Sequence, residues 1–226
     1  MSVNHHHKVL SKAAIERLFR LFEAAEPSPR GELHYTNAYT LLVAVVLSAQ
    51  ATDKGVNKAT RPLFTSVDSP DKMVALGEDG LRDAIKTIGL FNTKARHIMA
   101  LSRILLNAYD GRVPDSRAAL ESLPGVGRKT ANVVLNIFFG KPTIAVDTHI
   151  FRVANRMGLA VGTTPLAVEK GLERCVPSWA QQRCHHWLIL HGRYTCRAQK
   201  PLCGACLVRK ECLWQNKQDE HNRIKT

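Results

Sequence analysis

With 226 residues, 45% hydrophobic and 23% charged, the chain has the composition of a soluble globular protein and the length for one large domain or two small ones. Lys and Arg number 32 against 19 Asp and Glu, a formal surplus of +13, and that imbalance points to a polyanionic partner, a nucleic acid before an anionic membrane. The apolar run Leu41–Leu47 is too short to span a bilayer and the N-terminus lacks the basic, apolar, small-residue order of a signal peptide, so no membrane partner and a cytoplasmic location are expected.

His5-His6-His7 is too brief for a metal site and reads as a frayed terminus. Ile15, Leu18, Phe19, Leu21 and Phe22 recur at helical spacing, and that segment breaks at Pro27 and Pro29. Tyr39–Ala49 is almost wholly apolar and predicts the buried centre of a helical bundle. A helix restarts at Thr52-Asp53 and continues through Lys58 to Leu63. Leu81–Ile88, Thr93–Tyr109 and Ser116–Leu123 follow, punctuated by Gly89, Gly111 and Pro114. After a helix over Thr130–Phe139, the β-branched run Thr143–Val146 carries the one strand signal. Asp147-Thr148 then predicts an N-cap for a helix bearing Ile150, Val153, Ala154 and Met157. Leu166–Cys175 and Gln182–His191 complete the helices, and the polar C-terminal tail reads as loose.

The most informative stretch is Leu123-Pro-Gly-Val-Gly-Arg-Lys-Thr-Ala131, a glycine turn joined to a helix start. Gly125 and Gly127 free the backbone to take positive φ and let another backbone come close. The turn presents N–H groups at a positive helix end, a seat for phosphate. The same dipole disfavours a protonated amine at Lys129 and favours the free, nucleophilic form. Asp147 stands where a helix N-terminus stabilises its carboxylate.

Cys196, Cys203, Cys206 and Cys212 form C-x6-C-x2-C-x5-C, with only Cys175 and Cys184 elsewhere. A close thiolate group in a chain without a secretory signal means metal. Tetrahedral zinc and a [4Fe–4S] cube could each use four thiolates. The usual zinc layout has two C-x-x-C knuckles and this one has a single knuckle. His185, His186 and His191 offer zinc alternatives, but beside Trp187, Leu188 and Leu190 they read as packed or surface residues.

Five segments in order, Leu47-Ser-Ala-Gln-Ala-Thr-Asp53, Lys86-Thr-Ile-Gly-Leu90, Leu123–Asn136, Ile144–Val153 and Cys184-His-His-Trp-Leu-Ile-Leu-His-Gly-Arg-Tyr-Thr-Cys196, resemble the endonuclease III family, the bifunctional DNA glycosylases of base excision repair. The resemblance runs from about Leu33 to Trp214. It implies an all-α, two-lobed helix-hairpin-helix DNA glycosylase fold. A six-helix domain would cover 31–141, with the helix-hairpin-helix at about 115–139, and a second domain would join 1–30 to 142–226 and carry a C-terminal iron–sulfur cluster loop. By the same resemblance Cys196, Cys203, Cys206 and Cys212 hold a [4Fe–4S] cluster, Lys129 is the Schiff-base lysine and Asp147 the catalytic aspartate.

The resemblance also implies DNA contacts from Gly125, Gly127, Arg128 and Thr130 in the hairpin. Read from the residues alone, Arg193, Arg197 and Lys200 around the cysteines form a cationic patch suited to phosphates, the plainer alternative being a solvated basic face. Gln50 and Leu90 would enter the stack where a base is flipped out, and Ser48, Asp53 and His149 would line the base pocket. The implied partner is double-stranded DNA with a damaged base, an oxidised pyrimidine being the family expectation, or an abasic site. The enzyme would act as a nucleoid-associated monomer. Plainer roles exist for each residue: Asp147 as a cap worth about 1 kcal/mol, Lys129 as a solvated or phosphate-binding lysine, Gln50 as a loop glutamine, Leu90 as a core leucine.

Overall fold

The computed structural model describes residues 8–216, and no strand occurs among them. The His5–His7 run and residues 217–226 of the tail lie outside the described residues. In chain order the helices are α1 (Lys12–Ala25), α2 (Ala38–Leu47), α3 (Asp53–Phe64), α4 (Pro70–Ile85), α5 (Phe91–Tyr109), α6 (Arg117–Glu121), α7 (Arg128–Ile137), α8 (Thr148–Met157), α9 (Pro165–Cys175) and α10 (Gln181–Tyr194), with a short 3-10 turn at Ser178–Ala180. They form two units, one from Gly31–Lys141 and one from the described parts of Met1–Arg30 and Pro142–Thr226. No helix of the described residues is long and apolar enough to cross a membrane.

The Gly31–Lys141 unit is built around α2. Asn37 and Thr40 cap it reciprocally: the Thr40 amide donates to Asn37 Oδ1 at 2.9 Å and the Asn37 amide to Thr40 Oγ1 at 3.0 Å. Tyr39 through Leu47 are all buried, so α2 presents no polar face, and α3, α5 and α7 pack around it. Each large apolar side chain buried there contributes about 2 kcal/mol. Tyr39 keeps its hydroxyl in this core by bonding Ser102 Oγ at 2.6 Å. α4 begins earlier than the sequence pattern indicates, at Pro70 behind the N-cap Ser69, and breaks at Gly77, whose φ of 78° is non-helical.

In the unit made of both chain ends, α1 buries Ile15, Leu18, Phe19 and Phe22. Leu21 falls off that stripe and is 41% exposed. Trp187 of α10 sits 6.1 Å from Phe19 and 6.3 Å from Phe22 between ring centroids, and its Nε1 donates to the Glu26 carbonyl at 2.8 Å. One side chain thus packs α1 and ties down its end. α8 packs against α9 and α10. Thr143–Val146 is not a strand. Its side chains are buried and Ile144 and Val146 join the core, but no neighbouring strand offers a ladder. The β-branched run reflects burial rather than pairing.

Candidate functional site

The hairpin between α6 and α7 is short and internally bonded. The Leu123 amide donates to Leu120 O and the Val126 amide to Leu123 O, both at 3.1 Å, while Leu123 and Val126 are buried beneath. Gly125 has a φ of 78°, and a Cβ placed there would stand 3.0 Å from His97 Cβ and Nδ1 on α5. Gly127 differs from the sequence expectation: its φ is −93°, open to any residue, and a Cβ there would meet nothing within 4 Å. Its bareness leaves the surface clear beside the start of α7, which no side chain caps. The first amides of a helix lack intrahelical acceptors, so α7 presents donors and a positive dipole end there. Arg128 and Thr130 are half-buried at that end, and Lys129, second residue of the helix, is exposed.

Two other loops of the same unit carry backbone strain. Gln50, after α2, has φ 55°, and Leu90, before α5, has φ 60°; neither is glycine. Leu90 is 62% exposed, so it is not a core leucine, and Gln50 is exposed as well. The loops adjoin: a Cβ on Gly89 would lie 4.0 Å from the Gln50 carbonyl oxygen. Lys94, which the sequence reading passed over, is only 5% exposed, and its Nζ donates to the Leu47 carbonyl at 2.9 Å. Burial pushes its ammonium below the ordinary lysine range. Ser48 is half-buried with its hydroxyl donating to Val45 O at 2.8 Å, turned onto its own helix, and Asp53 is half-buried in the first turn of α3.

In the other unit, Asp147 caps α8: its Oδ1 accepts the Ile150 amide at 2.8 Å. Two residues on, His149 Nδ1 lies 3.2 Å from Arg152 Nη2. The Arg152 guanidinium also donates to Gly192 O at 2.7 Å and Cys196 O at 3.0 Å. Arg156, a turn further, donates to Arg197 O at 2.7 Å and Ala198 O at 3.0 Å, reaches Cys196 Sγ at 3.7 Å, and lies 4.3 Å from the Trp214 ring centroid. Neither arginine was singled out in sequence. Their signal is the spacing of four, off the buried stripe of Ile150, Val153, Ala154 and Met157.

The cysteine-rich end folds around one cavity with about 320 Å³ of empty space, partly open to solvent. Cys196, Cys203, Cys206 and Cys212 line it, with Met157, His191 and Trp214 among their neighbours. Among the described residues no three His, Cys, Asp or Glu side chains converge to hold a single metal ion. Burial pushes the Cys206 thiol up to about 11, and the charges of Cys212, Cys196 and Cys203 add to the effect, so the four sulfurs share one field. A bound cation would reverse that logic and hold them as thiolates. His191 lies 3.7 Å from Cys206 Sγ through Nε2, and burial lowers it to about 4, leaving a neutral ring. His185 and His186 are buried with their rings edge to face, in the packed role expected. Arg193 is half-buried in the last turn of α10; Arg197 and Lys200 are exposed on the loop between the first two cysteines, where Arg197 donates to Lys200 O at 3.2 Å and Lys200 takes a φ of 48°.

Residues 43–178 match the family model of the HhH-GPD superfamily base excision DNA repair proteins. The chain is 55% identical over 205 residues to endonuclease III of Escherichia coli (strain K12), covering 91% of this chain and 97% of that one. It is also 55% identical over 198 residues to endonuclease III of Rickettsia conorii, covering 88% and 94%. Its fold is similar to that in a trapped endonuclease III–DNA covalent intermediate, with a TM-score of 0.84 at 42% identity over 91% of this chain and 97% of that chain. An all-helical fold, a glycine hairpin feeding an uncapped helix and near-full-length identity lead to one conclusion: the chain belongs to the endonuclease III family within the HhH-GPD superfamily of base excision DNA repair proteins.

Proposed function

We propose that the chain is a DNA N-glycosylase with AP lyase activity, acting as a monomer on double-stranded DNA that carries an oxidised pyrimidine or an abasic site. The observation that carries this reading is the hairpin, where Gly125 and Gly127 run directly into an uncapped helix whose second residue is the exposed Lys129. A phosphate seated on the first amides of α7 places the sugar-phosphate chain beside that amine. In this reading Arg128 and Thr130 flank the seat, and Arg193, Arg197 and Lys200 supply cations to neighbouring phosphates.

The chemistry follows from an amine meeting an anomeric carbon. Lys129 Nζ attacks C1′, the bond to the base breaks, and the departing base takes up a proton. The sugar ring opens to an imine between Nζ and C1′. The imine acidifies the C2′ hydrogen. Its loss as a proton and cleavage of the C3′–O bond cut the strand 3′ to the lesion, and water hydrolyses the imine to release Lys129. Asp147, its carboxylate held by the Ile150 amide, is assigned stabilisation of positive charge at C1′ and proton relay. Gln50 and Leu90 fit an amide and an apolar wedge that fill the gap left by the flipped base: both are exposed and both are fixed in a left-handed backbone conformation. Ser48, Asp53 and His149 are assigned to the base pocket.

Cys196, Cys203, Cys206 and Cys212 would hold a [4Fe–4S] cluster, a donor set of four thiols around one cavity being suited to it. The cluster would supply a structural anchor for the cationic loop that Arg156 holds by its carbonyls. The test is a duplex carrying one oxidised pyrimidine. Purified protein should release the base and leave a nick 3′ to the site; an intact strand with the base retained would overturn the reading.

A further inference from the structure

Lys94 performs two tasks at one point of the Gly31–Lys141 unit. Its backbone amide donates to the Leu90 carbonyl at 3.0 Å, closing the first turn of α5 just behind that left-handed residue. Its Nζ, 5% exposed as a residue, donates to the Leu47 carbonyl at 2.9 Å and so closes the end of α2 just ahead of the loop that carries Gln50. The Gln50 carbonyl oxygen and the Gly89 position lie side by side, so both loops meet where Lys94 reaches across.

A buried ammonium is costly, and no carboxylate among the described residues pairs with it. The negative end of the α2 dipole offsets part of that cost. A shorter polar cap would satisfy Leu47 O, but it would not also belong to the turn of Leu90. The residue therefore fixes a distance between two loops, and each loop holds a non-glycine residue at positive φ.

We propose that Lys94 is a positioning residue that holds Gln50 and Leu90 as a matched pair for entry into the opened duplex; this rests on the glycosylase reading and on the wedge role given to those two residues. The step served is duplex opening, so loss of Lys94 should act on duplex substrates and act through the pair. Single-stranded abasic DNA has no stack to enter and needs no wedge.

The test is a cycle of four proteins: wild type, Lys94→Met, the Gln50→Ala/Leu90→Ala double variant, and the triple variant. Each is assayed for kcat/KM on a lesion-bearing duplex and for borohydride trapping on single-stranded abasic DNA. Expected is a loss of about tenfold on the duplex for Lys94→Met alone and less than about twofold when the pair is already removed, since residues acting as one unit are not additive. Trapping on the single strand should stay within about twofold of wild type in Lys94→Met. Equal losses from Lys94→Met with and without the pair, or equal losses on duplex and single strand, would reduce Lys94 to a helix cap and overturn the proposal. Undiminished duplex turnover in Lys94→Met, with the double variant impaired, would overturn it too. Failure of the wedge reading has its own signature, full duplex turnover in the double variant. Lys94→Gln, which restores a shorter donor, should recover part of the duplex rate without altering the single-strand result.

Discussion

The Gly31–Lys141 unit and the unit of the two chain ends hold their candidate residues by different means. In the first the backbone does most of the shaping, with the Lys94 side chain as a tie between two loops: Gly125, Gln50 and Leu90 all take positive φ, and α7 starts without a side-chain cap. Gln50, Leu90 and Lys129 are exposed, Leu90 to 62%. In the second, side chains do the shaping. Asp147 caps α8, Arg152 and Arg156 hold loop carbonyls, and four cysteines surround one cavity. The contrast matches the ligands proposed. A phosphate and an opened base stack are recognised by rows of amides and by shape at a surface, whereas a cluster needs particular atoms from particular residues. A backbone-built site should respond to the presence or absence of a Cβ, and a side-chain-built site to the loss of one atom.

The largest effect is expected in the side-chain-built unit. Cys206→Ser should abolish stoichiometric iron and sulfide in the purified protein and destabilise this unit by on the order of 5 kcal/mol or more, the scale of structural metal sites. Unchanged iron content with an unchanged melting midpoint would remove Cys206 from the residues that hold the cluster.

A paired substitution probes the backbone-built unit. Gly125→Ala should cost about 1–2 kcal/mol of stability, because it meets both a φ of 78° and His97 at 3.0 Å. Gly127→Ala should cost less than about 1 kcal/mol, its backbone being unstrained and its surroundings open. Yet Gly127→Ala should weaken binding to duplex DNA by roughly three- to tenfold, since the new methyl stands where a phosphate would approach. Denaturation and salt-controlled binding measure the two effects separately. Wild-type affinity in Gly127→Ala would move the phosphate seat elsewhere.

The smallest effect concerns pH. Burial holds His186, 8% exposed, below its ordinary value of 6.5. The unfolded chain therefore binds a proton that the native state refuses. The stability contribution is fully present above pH 6.5 and is lost as pH falls from there toward the lower folded value. Denaturant midpoints between neutral and mildly acidic pH should fall less steeply in His186→Asn than in wild type; equal slopes would mean that His186 carries none of this dependence.

The sequence was most legible where side-chain chemistry or burial writes itself into spacing. The apolar run of α2, the Asp147 cap and the cysteine quartet are of that kind, and each is where its letters place it. It was least legible where the backbone decides. Nothing in the letters Gln50 or Leu90 announces positive φ, because both residues normally avoid it. Gly127 invited a positive φ that the chain does not use, and the space beside it is open. Thr143–Val146 has the composition of a strand, but a strand needs a partner and none lies alongside among the described residues. Nothing in the spacing of Thr93–Tyr109 marks Lys94 as buried; its contact with the Leu47 carbonyl at the end of α2 shows only in the fold.

The central claim is that Lys129 is the nucleophile. Reductive trapping tests it most directly: protein and a duplex containing one abasic site are mixed with borohydride, and the covalent adduct is digested and mapped by mass. Wild type should give a single cross-linked peptide bearing the sugar remnant on Lys129. Lys129→Gln should give no adduct and no nick while still binding the duplex. An adduct on another residue, or undiminished trapping by Lys129→Gln, would contradict the mechanism.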